Sequence, residues 1–385
     1  MFEWLWRRAP APQAAPAPER KFLAWRSLAS PHWPSRDPGA FAREGYARNA
    51  VAYRCVRLIA EAAASAPIKV TPEGHPLALL LQRPNPEQTG VELLESFFGH
   101  LEVAGNAYLE AAAFDDEPPR ELHALRPDRM RVVPGPNGWP IAWEHRAGES
   151  VRRFERDPLS ERAPILHLKL FHPTDDWYGL SPMEAAAYAI DIHNAGGAWN
   201  KALIDNAARP SGALVYSGVG GAERLSEEQF QRIKAELEEA HTGAANAGRP
   251  LLLEGGLDWK PMSLTPADMD FIEARHAAAR EIALAFGVPP MLLGIPGDNT
   301  YSNYREANLA FWRQTALPLA HKAARALEIW LGDRWDEPAA LRVDLDAVPA
   351  LAAEREALWA RIGAAAFLSE SEKRVLAGID AAPAP

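Results

Sequence analysis

Apolar residues recur at helical spacing in two early segments. One is "NAVAYRCVRLIAEAAASA" from Asn49, which predicts a helix to about Ala64. The other is "TGVELLESFFGHLEVAG", with Val91, Leu94, Phe97, Phe98 and Leu101 three or four residues apart. Between and after them the period changes. "APIKV", "NAYLEAAAF", "ELHALRPDRMRVVPG", "WPIAWEHR" and "PILHLKLFH" alternate or run apolar between turn residues, as strands of an antiparallel sheet do. Asn137-Gly138 supplies a two-residue hairpin turn. Residues up to about 178 therefore predict an α+β unit.

Beyond that point the pattern turns helical, with clear start signals. "SPME" at Ser181 places a hydroxyl cap, a proline at the first helical position and a glutamate three residues on. "SEEQ" at Ser226, "TPAD" at Thr265 and "SESE" at Ser369 repeat the device. A helix is expected over 181–207, with Gly196-Gly197 in mid-course at a cost of about 1 kcal/mol against alanine. Close approach of another helix is the simplest compensation. A strand in "SGALVYSG" follows, then a helix with Phe230, Ile233 and Leu237 on one stripe and a hairpin around Gly255-Gly256. Further helices are expected over 266–286 and 302–331. The last carries Phe311, Trp312, Leu319, Leu327, Trp330 and Leu331 and is bent at Pro318. The two are joined by "GVPPMLLGIPGDNT", an apolar loop rich in proline and glycine whose plainest reading is a packed helix–helix connection.

Composition narrows the classes. At 385 residues the chain can bury a substantial core and accommodate two or three domains. No apolar run reaches the roughly 18 residues of a membrane span. The start, "MFEWLWRRAPAPQAAPAPER", has no signal-peptide core and reads as an extended, disordered arm. A single cysteine, Cys55, excludes an intrachain disulfide and fits a reducing compartment. Its place in the first helical pattern makes it a buried structural thiol. The net charge of -10 argues against a protein that grips nucleic acid by neutralising phosphates.

Catalytic signatures are few. Phosphate-loop, dinucleotide-binding, H-E-x-x-H and nucleophile-elbow patterns are all missing. His167 and His172 flank "LKLF", but a five-residue step along a strand points them to opposite faces. Asp344 and Asp346 in "DLD" would share one side of a strand, as a divalent ion needs, yet no third ligand stands nearby. No catalytic residue, metal or cofactor is expected.

The same residues resemble another group of proteins. "GVPPMLLGIPGDNTYSNYREANLAFWRQTALPLA" resembles the signature region of tailed-phage portal proteins. "NAVAYRCVRLIAEAAASAPIKV", "HPLALLLQRPNPEQTGVELLESFFGHLEVAGNAYLE", "GLSPMEAAAYAI", "NAARPSGAL", "LLEGGLDWKPMSLTPADMDFIEAR" and "LSESEKRVLAG" follow in that family's order, from about residue 45 to 380. The resemblance implies an α+β portal fold. It divides the chain into a flexible arm (1–44), an α/β wing (45–180), a first stem helix (181–208) and a small α/β clip (209–264). A second stem helix (265–286), a tunnel loop (287–301), a long helix back to the wing (302–340) and a helical crown region (341–385) complete it.

It also implies a homo-oligomeric, dodecameric ring at one capsid vertex of a virion or virus-like particle. Double-stranded DNA would pass through it without sequence readout. The terminase large subunit, the major capsid protein and a head-tail adaptor protein would dock on it, and no membrane would be involved. The residues implied to face DNA are Leu293, Gly294, Ile295, Pro296, Gly297, Asp298, Asn299, Thr300 and Tyr301, with the exposed tip around Ile295 to Asn299. Ala195, Gly196, Gly197 and Ala198 would let stem helices of neighbouring copies approach closely. A portal of a domesticated gene transfer agent would carry the same pattern. A hydrolase built on carboxylates or His167 stands as the rival of a different class.

Overall fold

The computed structural model describes residues 38–113, 117–136, 138–157, 162–205, 212–216, 226–228, 230–233, 235, 257–261, 271–296 and 301–378. After a π-type turn at Phe41–Tyr46 the chain enters α1 (Ala50–Ser65), capped by Asn49. The Asn49 side chain accepts hydrogen bonds from the amides of Val51 (3.1 Å) and Ala52 (3.0 Å), two of the donors a helix start leaves unpaired. Strand β1 (Ile68–Thr71), α2 (Pro76–Gln82) and α3 (Gly90–Ala104) follow. A capping box starts α3: Thr89 caps the Glu92 amide while the Glu92 carboxylate returns to the Thr89 amide at 2.7 Å. "TGVE" carries that signature in the sequence beside the four starts named above.

The buried stripe of α3 is Leu93, Phe97 and Leu101, with Phe98 beside it, whereas Val91 stands 52% exposed. The stripe is thus rotated from the expected one, because the four-residue steps from Leu93 stay on the face that meets α1. Ala60, Ala63 and Ala64 of α1 meet Phe97 and Leu101 in the main core, and small alanines let the two helices pack closely.

The strands between Asn106 and Lys169 form two separate three-stranded sheets. β2 (Asn106–Ala112) is central between β3 (Glu121–Leu125) and β7 (Ile165–Lys169). β4 (Met130–Pro134), β5 (Pro140–Ala147) and β6 (Ser150–Glu155) make a separate meander. Pro127 causes the split. It has no N–H to donate and opens a 3-10 turn, Pro127–Arg129, which ends the β3 ladder. The turn between β4 and β5 has Gly138 at φ 80; Asn137 lies outside the described residues. Strand β6 escaped the sequence pattern because Phe154 alone of "SVRRFE" is buried.

From β7 the chain passes into α4 (Pro182–Ala185) and α5 (Ala187–Asp205). The single helix expected from Ser181 is interrupted at Ala186, whose ψ of 1 leaves the helical region. β8 (Gly212–Tyr216) pairs antiparallel with β9 (Leu257–Pro261). The expected hairpin partner of β9, around Leu251 to Glu254, lies outside the described residues, as does the Thr265 cap. Ser226 opens a helical stretch, with its carbonyl bonded to the Phe230 amide at 2.9 Å.

Helix α6 (Phe271–Ala285) packs along α5. A long helix then runs as α7 (Tyr301–Phe311), a π-type segment Trp312–Ala316 and α8 (Leu317–Leu331). Pro318 cannot donate to the carbonyl four residues back, and the turn before it is widened, with the Leu317 amide reaching Trp312 O.

Strand β10 (Ala340–Val343) returns to pair with β1, Ile68 opposite Val343. The expected boundary at 340/341 therefore cuts a strand. β10 belongs with the N-terminal α/β region. The helices α9 (Ala352–Ala364) and α10 (Glu370–Ala377) close the chain, and Ser369 and Glu372 form the expected reciprocal box.

Candidate functional site

Two junctions position the helix pair α5 and α6. The first lies where β7 hands over to α4. Gly105, at φ 71, ends α3, and its backbone runs against that of Gly179. A Cβ on Gly105 would lie 2.2 Å from Gly179 O, and one on Gly179 would lie 2.1 Å from Gly105 O. Both positions therefore require glycine. Asn106 ties the crossing together. Its Nδ2 donates to Ala104 O (2.8 Å), and its Oδ1 accepts from the Gly179 amide (2.9 Å) and from His167 Nε2 (3.0 Å). Ser181 Oγ caps Met183 N at 2.9 Å and donates to Glu102 O and Val103 O, each at 2.8 Å. The residues of "GNAY" and "GLSP" thus meet as one knot.

His167, the candidate of the hydrolase reading, is committed to this knot. Its ring stacks on Tyr108 with centroids 4.2 Å apart. Burial, helped by Lys169, pushes its pKa down to about 3, so it is neutral at ordinary pH. Glu102 in the same region is 3% exposed, and burial raises its carboxyl to about 8. The Cys55 thiol is fully buried in the adjoining core and pushed up to about 12 by burial, with the Glu102 charge adding. It is an inert packing residue.

The second junction lies after α6. Gly287, at φ 65, and Val288 end the helix by bonding back to Leu284 O (3.0 Å) and Ala283 O (2.9 Å), the double closure of a Schellman motif. Thr315 Oγ1 holds Gly287 O at 2.7 Å. Pro290–Leu293 form a 3-10 turn ended by Gly294 at φ 70. The Ile295 amide then closes on Pro290 O at 3.2 Å. Leu292 and Leu293 are half-buried against the core around α1.

Ile295 was expected at an exposed tip, and that expectation is corrected. It is 7% exposed and seated on Ala279 and Ala283 of α6, because apolar burial outweighs display in water. Pro296 is exposed, its carbonyl held by Arg280 at 2.9 Å. Gly297, Asp298, Asn299 and Thr300 lie outside the described residues, and Tyr301 begins α7.

On α5 the four small residues divide. Gly196 is buried, and a Cβ there would come within 3.0 Å of Arg275 Cγ on α6. Its close partner is thus in the same chain. A Cβ on Gly197 would meet nothing within 4 Å, and Ala195 and Ala198 are exposed. Tyr188, Ile192 and Trp199 are exposed on the same side as Ala195, four, three and four residues apart in turn. At the base of the pair, Asn49 Nδ2 donates to Asn194 Oδ1 at 3.0 Å, tying α1 to α5.

The remaining chemistry candidates disperse. The strand expected to carry Asp344 and Asp346 ends at Val343, and Asp344 caps a 3-10 turn. Asp344 pairs with Lys69 at 2.7 Å, while Asp346 accepts from Arg355 and, at 3.2 Å, from Trp359. His172 takes a bond from the Thr174 amide in the turn after β7. Among the described residues no three acidic, histidine or cysteine side chains gather as a metal site. No described helix is long and apolar enough to cross a membrane.

Comparison with known proteins gives one consistent answer. The family model described as phage portal protein matches residues 50–378. A protein of Rickettsia bellii (strain RML369-C) is 43% identical over 343 residues, covering 87% of this chain and 88% of its own. A chain in the neck of an empty gene transfer agent particle, solved with C6 symmetry, superposes with a TM-score of 0.70 at 54% identity, covering 92% of this chain and 96% of its own. In the native neck, solved with C12 symmetry, the TM-score is 0.69 at 55% identity, over 91% and 95%.

Proposed function

Because the chain belongs to the phage portal protein family, as a portal protein of a phage or gene transfer agent particle, we propose that twelve copies form the ring at one capsid vertex and that double-stranded DNA enters and leaves through it. The likeness at 54–55% identity to chains from gene transfer agent necks carries this reading. It favours such a particle over an infectious phage. Solution of those necks with C12 and C6 symmetry supports twelve copies, since a twelve-fold ring contains six-fold symmetry.

In this reading the α/β region through residue 180 is the wing, α5 and α6 are the stem, and β8–β9 belong to the clip. The turn after α6 anchors a tunnel loop whose channel-facing part is Pro296 to Thr300, with Leu293 and Gly294 at its base. Ile295 serves as the plug that holds the loop to the stem. Ala195, Gly197 and Ala198 offer a small-residue face to the stem of the next copy, with Tyr188, Ile192 and Trp199 beside it. Gly196 serves the pairing within one chain. A net charge of -10 suits a conduit, because a strongly basic lumen would hold phosphate and stall sliding. Terminase, capsid protein and a head-tail adaptor are its docking partners.

Imaging of the purified protein by negative stain, with its solution mass, tests the ring. Closed rings with a duplex-wide channel are expected, and Gly197→Leu should abolish them while leaving the monomer folded. A compact dimer with no ring under any assembly condition overturns the conduit.

A further inference from the structure

A cavity of about 460 Å³ opens between the C-terminal end of α8 and strands β5 to β7. It is lined by Trp143, Arg156, Arg162, Ile165, Ile329 and Arg334, among others. Trp143 is 3% exposed, yet its indole Nε1 has no acceptor, and the Nε of Arg156 is likewise buried and unbonded. Both atoms are donors that cannot accept, and the Arg156 guanidinium lies 5.8 Å from the centre of the Trp143 ring. A buried donor left unpaired costs free energy, so two in one wall point to an acceptor brought from outside.

Charge agrees. Arg334 donates to Trp330 O (3.3 Å) and Ala163 O (3.1 Å), which leaves other N–H groups of its fork, and it has no ion pair with a carboxylate among the described residues. Burial and the nearby Arg162 make its charge less favourable. Arg162 reaches Asp333 at 3.4 Å on the exposed rim. Among the described lining residues the guanidiniums of Arg156, Arg162 and Arg334 face the single carboxylate of Asp333, which makes the slot basic on a chain of net charge -10. The opposite lip is apolar, with Ile329 73% exposed.

We propose that this slot docks an acidic peptide segment of a partner polypeptide. The segment's carboxylate meets Arg156, Arg334 and the Trp143 N–H, and an adjoining apolar side chain lies on Ile329. Duplex DNA fits poorly, since its phosphates cannot reach recessed donors and have no use for an apolar lip. The proposal does not depend on the ring: rings can form whether or not the slot binds.

The test uses the purified full-length protein and a fluorescein-labelled peptide alternating glutamate and leucine, read by fluorescence anisotropy. Saturable binding is expected, weakened about tenfold or more by Arg156→Gln, the loss of one charge-assisted hydrogen bond. Arg334→Gln should act alike, which guards against one variant failing to fold. Arg146→Gln, on the exposed end of β5, should leave binding unchanged. Absence of saturable binding, equal binding of a glutamine–leucine peptide, or indifference to both arginine variants each overturns the proposal. Displacement of the peptide by inorganic phosphate or a short DNA duplex at matched charge also overturns it, showing a general anion site.

Discussion

The knot around Asn106 and the turn after α6 do the same job by opposite means. Each joins the helix pair to the rest of the chain. The knot uses two backbones in contact at Gly105 and Gly179, one asparagine with donors and acceptors all engaged, and a neutral half-buried histidine. The turn uses a Schellman closure and apolar plugs, Val288 and Ile295, and contains no titratable side chain from Phe286 to Pro296. Polar satisfaction and backbone contact admit almost no substitutes, whereas an apolar plug tolerates another apolar group of similar volume. The first junction is therefore the rigid one and the turn after α6 the adaptable one.

The largest expected effect breaks the knot at its tightest point. Gly179→Ala places a methyl against Gly105 O and Leu170 N, and should cost more than about 4 kcal/mol, seen as loss of soluble protein or of a cooperative melt. If it melts like the wild type, the backbone contact is not what holds the junction. Asn106→Ala leaves the Gly179 amide and Ala104 carbonyl buried without their partner, at about 3 kcal/mol or more in denaturant titration.

On the other side, Ile295→Ala should cost about 2–3 kcal/mol and Ile295→Leu under about 1.5. A near-equal loss for both would show the turn to be as exacting as the knot.

A further expected effect is a slope with pH. Burial holds the folded pKa of His167 (about 3) and of His100 on α3 (about 4) below the unfolded one, so their contribution is intact above about pH 6.5. As pH falls toward those values each loses about 1.4 kcal/mol per unit. Glu102 (about 8) has the opposite sign: its contribution is full below about pH 4.5 and declines as pH rises to 8. Melting from pH 4 to 9 should therefore show a dome, and Glu102→Gln should flatten its alkaline side. Amide exchange at Val288 and Ile295, in the charge-free turn, should show no inflection of its own; an inflection at either would tie the two junctions together.

Much of this was legible in the sequence. Helix starts at Ser181 and Ser369 were visible because a capping side chain bonds its own backbone a few residues away, which is a local event. The apolar periodicity of α1 and α3 placed both helices, and the order of the "GNAY", "GLSP" and "GVPP" blocks carried the family. The sequence by itself thus determined the main helices, most of the strands, the α+β class and the family.

Only the tertiary structure decided which partner each residue meets. It put Gly105 against Gly179 across more than seventy residues, turned His167 into a packing group, seated Ile295 on α6, and gave Gly196 to its own chain while leaving Gly197 open. Strand β6 and the slot beside Arg156 were invisible, because a strand burying one side chain has no period and unpaired donors show only once the neighbours are in place. Spacing reports what lies within a turn or two of helix. Contacts between distant segments depend on how layers close over one another, and no local pattern records that.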